Sequence, residues 1–225
     1  MTMKADKRML DRFQFIAVEG AIGSGKTQLA QLLSERMDAY LMLELAQANL
    51  FLDDFYSDMS RYALATQLSF LLHRRTQWAD LPKLRDRHNH LVSDWLFDKD
   101  RVYAELILQD REMNIYQRIH DQFVYHNFTQ RPFVPDLVIY LQASPQRLMH
   151  EVRERNRPIE QDIGEDYVAQ LCQQYDRFFY DYNAAPIMMI NTDHINPAQN
   201  PEDFEWLLTQ IQTMKGRREY FNRLV

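Results

Sequence analysis

Lys26 and Thr27 close an octapeptide, Gly20-Ala21-Ile22-Gly23-Ser24-Gly25-Lys26-Thr27, whose three glycines, cation and hydroxyl are spaced to hold phosphate. Glycines let backbone N–H groups turn inward around phosphate oxygens, and the start of a following helix adds its positive end at the same spot. A lysine so placed reaches the β- and γ-phosphates, and the adjacent hydroxyl ligates Mg²⁺. The motif points to a bound nucleoside triphosphate. It does not name the reaction, since ATPases, GTPases and small-molecule kinases all use it.

Three other groups could act beside it. Glu44 ends an apolar run, where a carboxylate can take the proton of a hydroxyl attacking phosphorus; an ordinary solvated glutamate would read the same way. Asp94 ends another, where a carboxylate can hold Mg²⁺ directly or through water, or cap the segment that follows. Arg153, Arg155 and Arg157 crowd the end of a helical stretch. Such a cluster can close over phosphates as a lid, or be a salt-bridged helix end.

These groups need a scaffold that brings strand ends together. Apolar runs at 13–18, 40–43, 90–93, 137–141 and 186–190 predict strands. Helical patterns are expected over 28–37, 60–78, 99–125, 165–182 and 201–214. Another runs from the Ser144-Pro145 start signal to near Arg155. Nearly continuous apolar strands alternating with helices predict an α/β fold. Its parallel sheet would be covered by helices on both faces, with an arginine-rich lid. Ligands of such sheets sit at the carboxyl ends of the strands, so the glycine loop, Glu44 and Asp94 are expected in one crevice.

Composition narrows the classes. With 225 residues and few glycines outside the loop, we expect a disordered lead-in over 1–10 and one domain over 11–225. The net charge of −6 argues against a general nucleic-acid surface. One cysteine, Cys172, permits no intramolecular disulfide and no zinc cluster, which fits a reducing cytoplasm. No run has transmembrane length, so no membrane partner is expected.

The blocks Asn49-Leu50-Phe51-Leu52-Asp53-Asp54-Phe55-Tyr56, Arg61 to Gln67, Arg74, Ser93-Asp94 with Asp100-Arg101, Ile115-Tyr116-Gln117, and Arg155-Asn156-Arg157 come in a specific order. With Val18-Glu19-Gly20 and its loop, Pro135 to Leu141, and Asn191-Thr192-Asp193, they make nearly the whole chain resemble the deoxynucleoside kinases. The likeness is greatest to the bacterial deoxyadenosine/deoxyguanosine kinase branch. The resemblance implies transfer of the γ-phosphoryl of ATP, with Mg²⁺ near Thr27 and Asp94, to the 5′-hydroxyl of a deoxynucleoside in nucleotide salvage. It makes Glu44 the general base, Tyr56 the partner of the sugar 3′-hydroxyl and Gln67 a bidentate partner of the base edge. Arg74 would lie beside the base pocket, with Asp100 at a position that is acidic in relatives using purine deoxynucleosides or deoxycytidine. We therefore expect deoxyadenosine or deoxyguanosine, then deoxycytidine. The resemblance also implies a homodimer, for which the helix over 99–125 offers a face. Leu50, Phe51, Phe55, Phe97 and Tyr103 are candidates for packing on the base, or plain core.

Two positions depart from the family pattern. An arginine is expected where Trp95 stands, and Arg101 or the lid would have to supply that charge. Glu151 occupies the place of a first lid arginine. The alternatives are a weakly active nucleotide-binding subunit of a heterodimer, motivated by Trp95, and a nucleoside monophosphate kinase.

Overall fold

The computed structural model describes residues 12–125 and 134–222. The lead-in expected over 1–10 falls outside them. Six parallel strands form one sheet: β1 (Phe15–Gly20), β2 (Tyr40–Met42), β3 (Leu91–Ser93), β4 (Leu137–Gln142), β5 (Ile187–Asn191) and β6 (Arg218–Phe221). Their order is β2-β3-β1-β4-β5-β6. The chain thus doubles back on either side of β1, and the crevice that a reversal of strand order creates lies at the carboxyl end of β1.

Helices cover both faces, as a sheet whose central strands are buried throughout requires. On one face α1 (Lys26–Met37) and α8 (Pro201–Thr213) bury Leu29, Leu33, Leu207 and Ile211 against Ile16, Val18 and Ile139. On the other, α6 (Pro145–Arg155) and α7 (Glu165–Asp181) pack Leu148, Val168 and Phe179 against Ala17, Val138 and Tyr140. A third cluster lies under α3 (Met59–Arg87) and α5 (Asp110–Tyr125), where Leu71, Trp78 and Tyr116 meet Phe15, Leu91 and Trp95. Ser144 caps α6 as its sequence signals, accepting from the Arg147 amide at 3.3 Å, and Asn200 caps α8 in the same way.

The structure departs from the expected elements at four places. The helix expected over 60–78 starts at Met59, capped by Asp58, and runs on to Arg87 with Pro82 inside it. Leu81 is fully buried in the third cluster, so packing carries the helix past the proline. The single helix expected over 99–125 is instead a 3-10 turn (Phe97–Lys99), α4 (Asp100–Ile107) and α5. The chain is extended at Leu108, and the Glu112 side chain accepts from the Gln109 amide at 3.1 Å, capping the new start. A short α2 (Leu52–Ser57) and the edge strand β6 were not expected from the sequence. Among the described residues, no helix is long and apolar enough to cross a membrane.

Candidate active site

The glycine loop joins β1 to α1 as its sequence requires. Gly23 and Gly25 take φ of +87° and +82°, values that side-chain-bearing residues rarely adopt. A Cβ on Gly23 would also stand 2.8 Å from the Leu148 carbonyl oxygen, so this turn admits only glycine. Gly25 is the N-cap of α1, and no side chain caps that helix start. Its first amides are therefore directed at the loop, the arrangement that binds anions.

Asp94 follows β3 and joins the loop to the second strand end. Its Oδ2 accepts from the Thr27 hydroxyl at 2.5 Å, and its Oδ1 accepts from the Glu44 amide at 2.7 Å. One carboxylate thus fixes a hydroxyl on α1 and the backbone just beyond β2. The expected convergence of loop, Glu44 and Asp94 is present. A hydroxyl beside a carboxylate oxygen suits a hard cation such as Mg²⁺, which takes few protein ligands and completes its shell with water and phosphate oxygens. Among the described residues there is no cluster of three or more His, Cys, Asp or Glu side chains that could hold a metal ion.

Glu44 lies in irregular backbone between β2 and the 3-10 turn Ala46–Ala48, so side-chain partners set its orientation. Arg74 of α3 donates to Glu44 Oε1 from Nε at 2.9 Å and again from Nη2. The same guanidinium pairs through Nη1 with Asp100, which also accepts from the Tyr116 hydroxyl. The expected Arg74–Asp100 pair exists, and its additional hold on Glu44 does not follow from spacing. Burial alone would raise the Glu44 carboxyl, but Arg74, Lys99 and Lys26 outweigh it and bring it from 4.5 down to about 2.

A carboxyl held below its unfolded value stabilises the fold when ionised. That contribution is complete above about pH 4.5 and is lost as pH falls toward 2. Wild type should therefore be more stable than Glu44→Gln at neutral pH, with the gap closing in acid. Denaturant melts from about pH 7 to about pH 3 check this. A gap that does not change with pH would show that the charge of Glu44 is not held as described.

Gln67 is buried on α3, and its Oε1 has no hydrogen-bond partner, as suits a group waiting for a ligand. Tyr56, on α2, packs at the edge of the cluster under α7. Of the residues suggested for packing on a base, Leu50 is 85% exposed, while Phe97 is core, 4.9 Å from the Trp78 ring. Arg153 and Arg155 pair with Glu165 and Glu160 at 2.7 and 2.9 Å, and Arg157 lies 3.7 Å from Glu160. The three arginines therefore face carboxylates here, and no closed lid is seen. Glu151 pairs with Arg147 at 2.7 Å.

Trp95 is core, 1% exposed and beside Trp78. The charge missing at that position is not supplied by Arg101, which lies on the surface paired with Glu105 at 2.8 Å. Nor is it supplied by the lid arginines. A buried cation that the sequence reading did not name is Lys99, whose Nζ lies 3.1 Å from Glu19 and 3.4 Å from Glu44. Glu19 is fully buried at the end of β1 and accepts from the amides of Leu96 and Gly20 at 2.8 and 3.0 Å. Both residues escaped the reading of chemistry from sequence. A charged residue inside the otherwise apolar strand was a signal for Glu19; Lys99, flanked by Asp98 and Asp100, gave none.

A family model described as deoxynucleoside kinase matches residues 16–215. A deoxyguanosine kinase of Bacillus subtilis (strain 168) is 28% identical over 205 residues, covering 89% of this chain and 97% of that relative. A deoxyadenosine kinase of Dictyostelium discoideum is 32% identical over 191 residues, covering 82% of this chain and 75% of the relative. Among solved structures, a deoxyadenosine kinase from M. mycoides with bound dATP superposes with a TM-score of 0.74 at 20% identity, over 89% of this chain and 100% of that one.

Proposed function

The chain belongs to the deoxynucleoside kinase family, and we propose that it moves the γ-phosphoryl of ATP to the 5′-hydroxyl of deoxyadenosine or deoxyguanosine, with deoxycytidine as the next candidate. The observation that carries this reading is the meeting of Glu44, Asp94 and the glycine loop at three strand ends, backed by the buried Arg74–Asp100 pair. An arginine–carboxylate pair offers a purine edge both donors and acceptors. The named functions of the curated relatives, deoxyguanosine and deoxyadenosine kinases, support the purine preference.

In this reading the Glu44 carboxylate accepts the proton of the 5′-hydroxyl as its oxygen bonds to the γ-phosphorus and the bond to the leaving ADP breaks. Lys26 and the loop amides stabilise the charge spread over the transferring group. Thr27 and Asp94 would hold Mg²⁺, which when bound offsets charge on the phosphates. Arg153, Arg155 and Arg157 would exchange their carboxylate partners for phosphate oxygens. Tyr56 would meet the sugar 3′-hydroxyl, and Gln67 and Arg74 the base. A narrow cleft lined by Gly25, Arg147, Thr192 and Asn196 lies beside the loop. On the family resemblance we also infer a cytoplasmic homodimer serving salvage.

The test is a phosphorylation assay with ATP and Mg²⁺ against each of the four deoxynucleosides, with Lys26→Ala as the blank. Turnover on a purine deoxynucleoside that vanishes in the blank is the expected result. ATP binding with no turnover on any of the four would replace the reading with that of a nucleotide-binding subunit.

A further inference from the structure

We propose that Lys99 is a positioning residue for Glu44, fixing the orientation of its carboxylate through the buried anchor Glu19. The inference rests on the reading of Glu44 as the group that takes the hydroxyl proton.

The two oxygens of Glu44 have separate partners. Oε1 receives Arg74, and Oε2 meets Lys99 at 3.4 Å. The Glu44 amide is tied to Asp94, but that bond fixes only the backbone. Rotation of the carboxylate about its own axis is set by the two cations on either side. Arg74 is shared with Asp100, so any ligand that draws the guanidinium toward Asp100 loosens its hold on Oε1. Lys99 is shared as well, but with a carboxylate deep in the interior. It is 1% exposed at the entrance to α4, and its other partner, Glu19, is fully buried. Glu19 is fixed by the amides of Leu96 and Gly20 and lies 3.4 Å from the Tyr175 hydroxyl. A rigid path therefore runs from the end of β1 through Glu19 and Lys99 to Oε2. Displacement of a reacting group by about 1 Å can cost about a hundredfold in rate, which is the scale of effect such a path controls.

A second role must be separated from this one, because Lys99 also balances a buried carboxylate. The discriminating set is Lys99→Met, Lys99→Arg, Glu19→Gln/Lys99→Met and Lys99→Met/Glu44→Gln, each measured for single-turnover rate, nucleoside KM and Tm. Lys99→Met should lower the rate by about a hundredfold with KM within about threefold, and should lower Tm because Glu19 is left unpaired. Lys99→Arg should recover part of the rate. Glu19→Gln/Lys99→Met carries no unpaired buried charge, so it should regain Tm but not rate. It also carries the test should Lys99→Met alone not fold. In the Glu44→Gln background, Lys99→Met should cost no more than about threefold further, since both changes act on one group. Rate returning together with Tm in Glu19→Gln/Lys99→Met would overturn the proposal, leaving Lys99 as the counter-charge of Glu19. A full hundredfold loss on top of Glu44→Gln would overturn it as well. Wild-type rate in Glu44→Gln alone would instead sink the reading of Glu44 as the base, and so is told apart from failure at Lys99.

Discussion

Glu44→Gln should lower turnover about a thousandfold and leave the KM for the deoxynucleoside nearly unchanged. The magnitude follows from what an amide loses. It keeps the shape of the carboxylate and can still accept from Arg74, but it cannot take a proton from an attacking hydroxyl. Groups in that role contribute about 10²- to 10⁴-fold. KM is spared because the base edge and sugar would be held by other groups, namely Gln67, the Arg74–Asp100 pair and Tyr56. Initial rates over a range of nucleoside concentrations at saturating ATP separate the two parameters. A variant with a raised KM and unchanged kcat would make Glu44 a binding group and not the base.

Asp100→Ala has the largest expected effect on the fold. Asp100 is fully buried, pairs with Arg74 and accepts from Tyr116. Its removal strands part of a buried guanidinium and a phenolic hydroxyl together. Breaking one side of a buried ion pair costs about 3–5 kcal/mol, which for a chain of this size is a fall in Tm of roughly 10 °C. If the pair also reads the base, the same change should lower kcat/KM for deoxyadenosine or deoxyguanosine relative to thymidine by at least about tenfold. Thermal unfolding and competition assays run below the lower Tm report the two effects separately. A lowered Tm with an unchanged ratio would confine Asp100 to holding the fold and remove it from substrate choice.

The glycine loop, the five apolar strands and the helix starts at Ser144 and Asn200 are local features, and local features were legible. Residues 20–27 specify their own turn, because only glycine tolerates the backbone at 23 and 25. What the sequence hid is non-local. β6 has charged residues at 218 and 219 and pairs only along one edge, so its strand character comes from β5 and not from its own pattern. The break between α4 and α5 uses neither glycine nor proline. Helix-favouring residue types continue across it, and the new start is capped by the Glu112 side chain reaching back to the Gln109 amide. Trp95 stands where the family pattern has an arginine, and it packs tilted, 6.4 Å from the Trp78 ring, 17 residues upstream at the point where the helix was expected to end. In the site, Arg74 was placed with Asp100 by resemblance, but its second bond to Glu44 and the Glu19–Lys99–Glu44 path link residues whose spacing along the chain carries no period.

The alternating charges Glu19, Lys99, Glu44, Arg74 and Asp100 constrain how this protein can be redesigned. Each interior member balances two neighbours, so changing any one leaves a buried charge without its complement. A library that varies positions 74 and 100 independently should be filled mostly with molecules of lowered stability, whatever their chemistry toward new nucleosides. One that encodes the two together, exchanging the ion pair for a neutral pair of similar volume, leaves the net charge unchanged, with Lys99 as the remaining cation on Glu44. Routes to altered selectivity in this scaffold therefore pass through paired replacements, and a search by single substitutions should stall at its starting point.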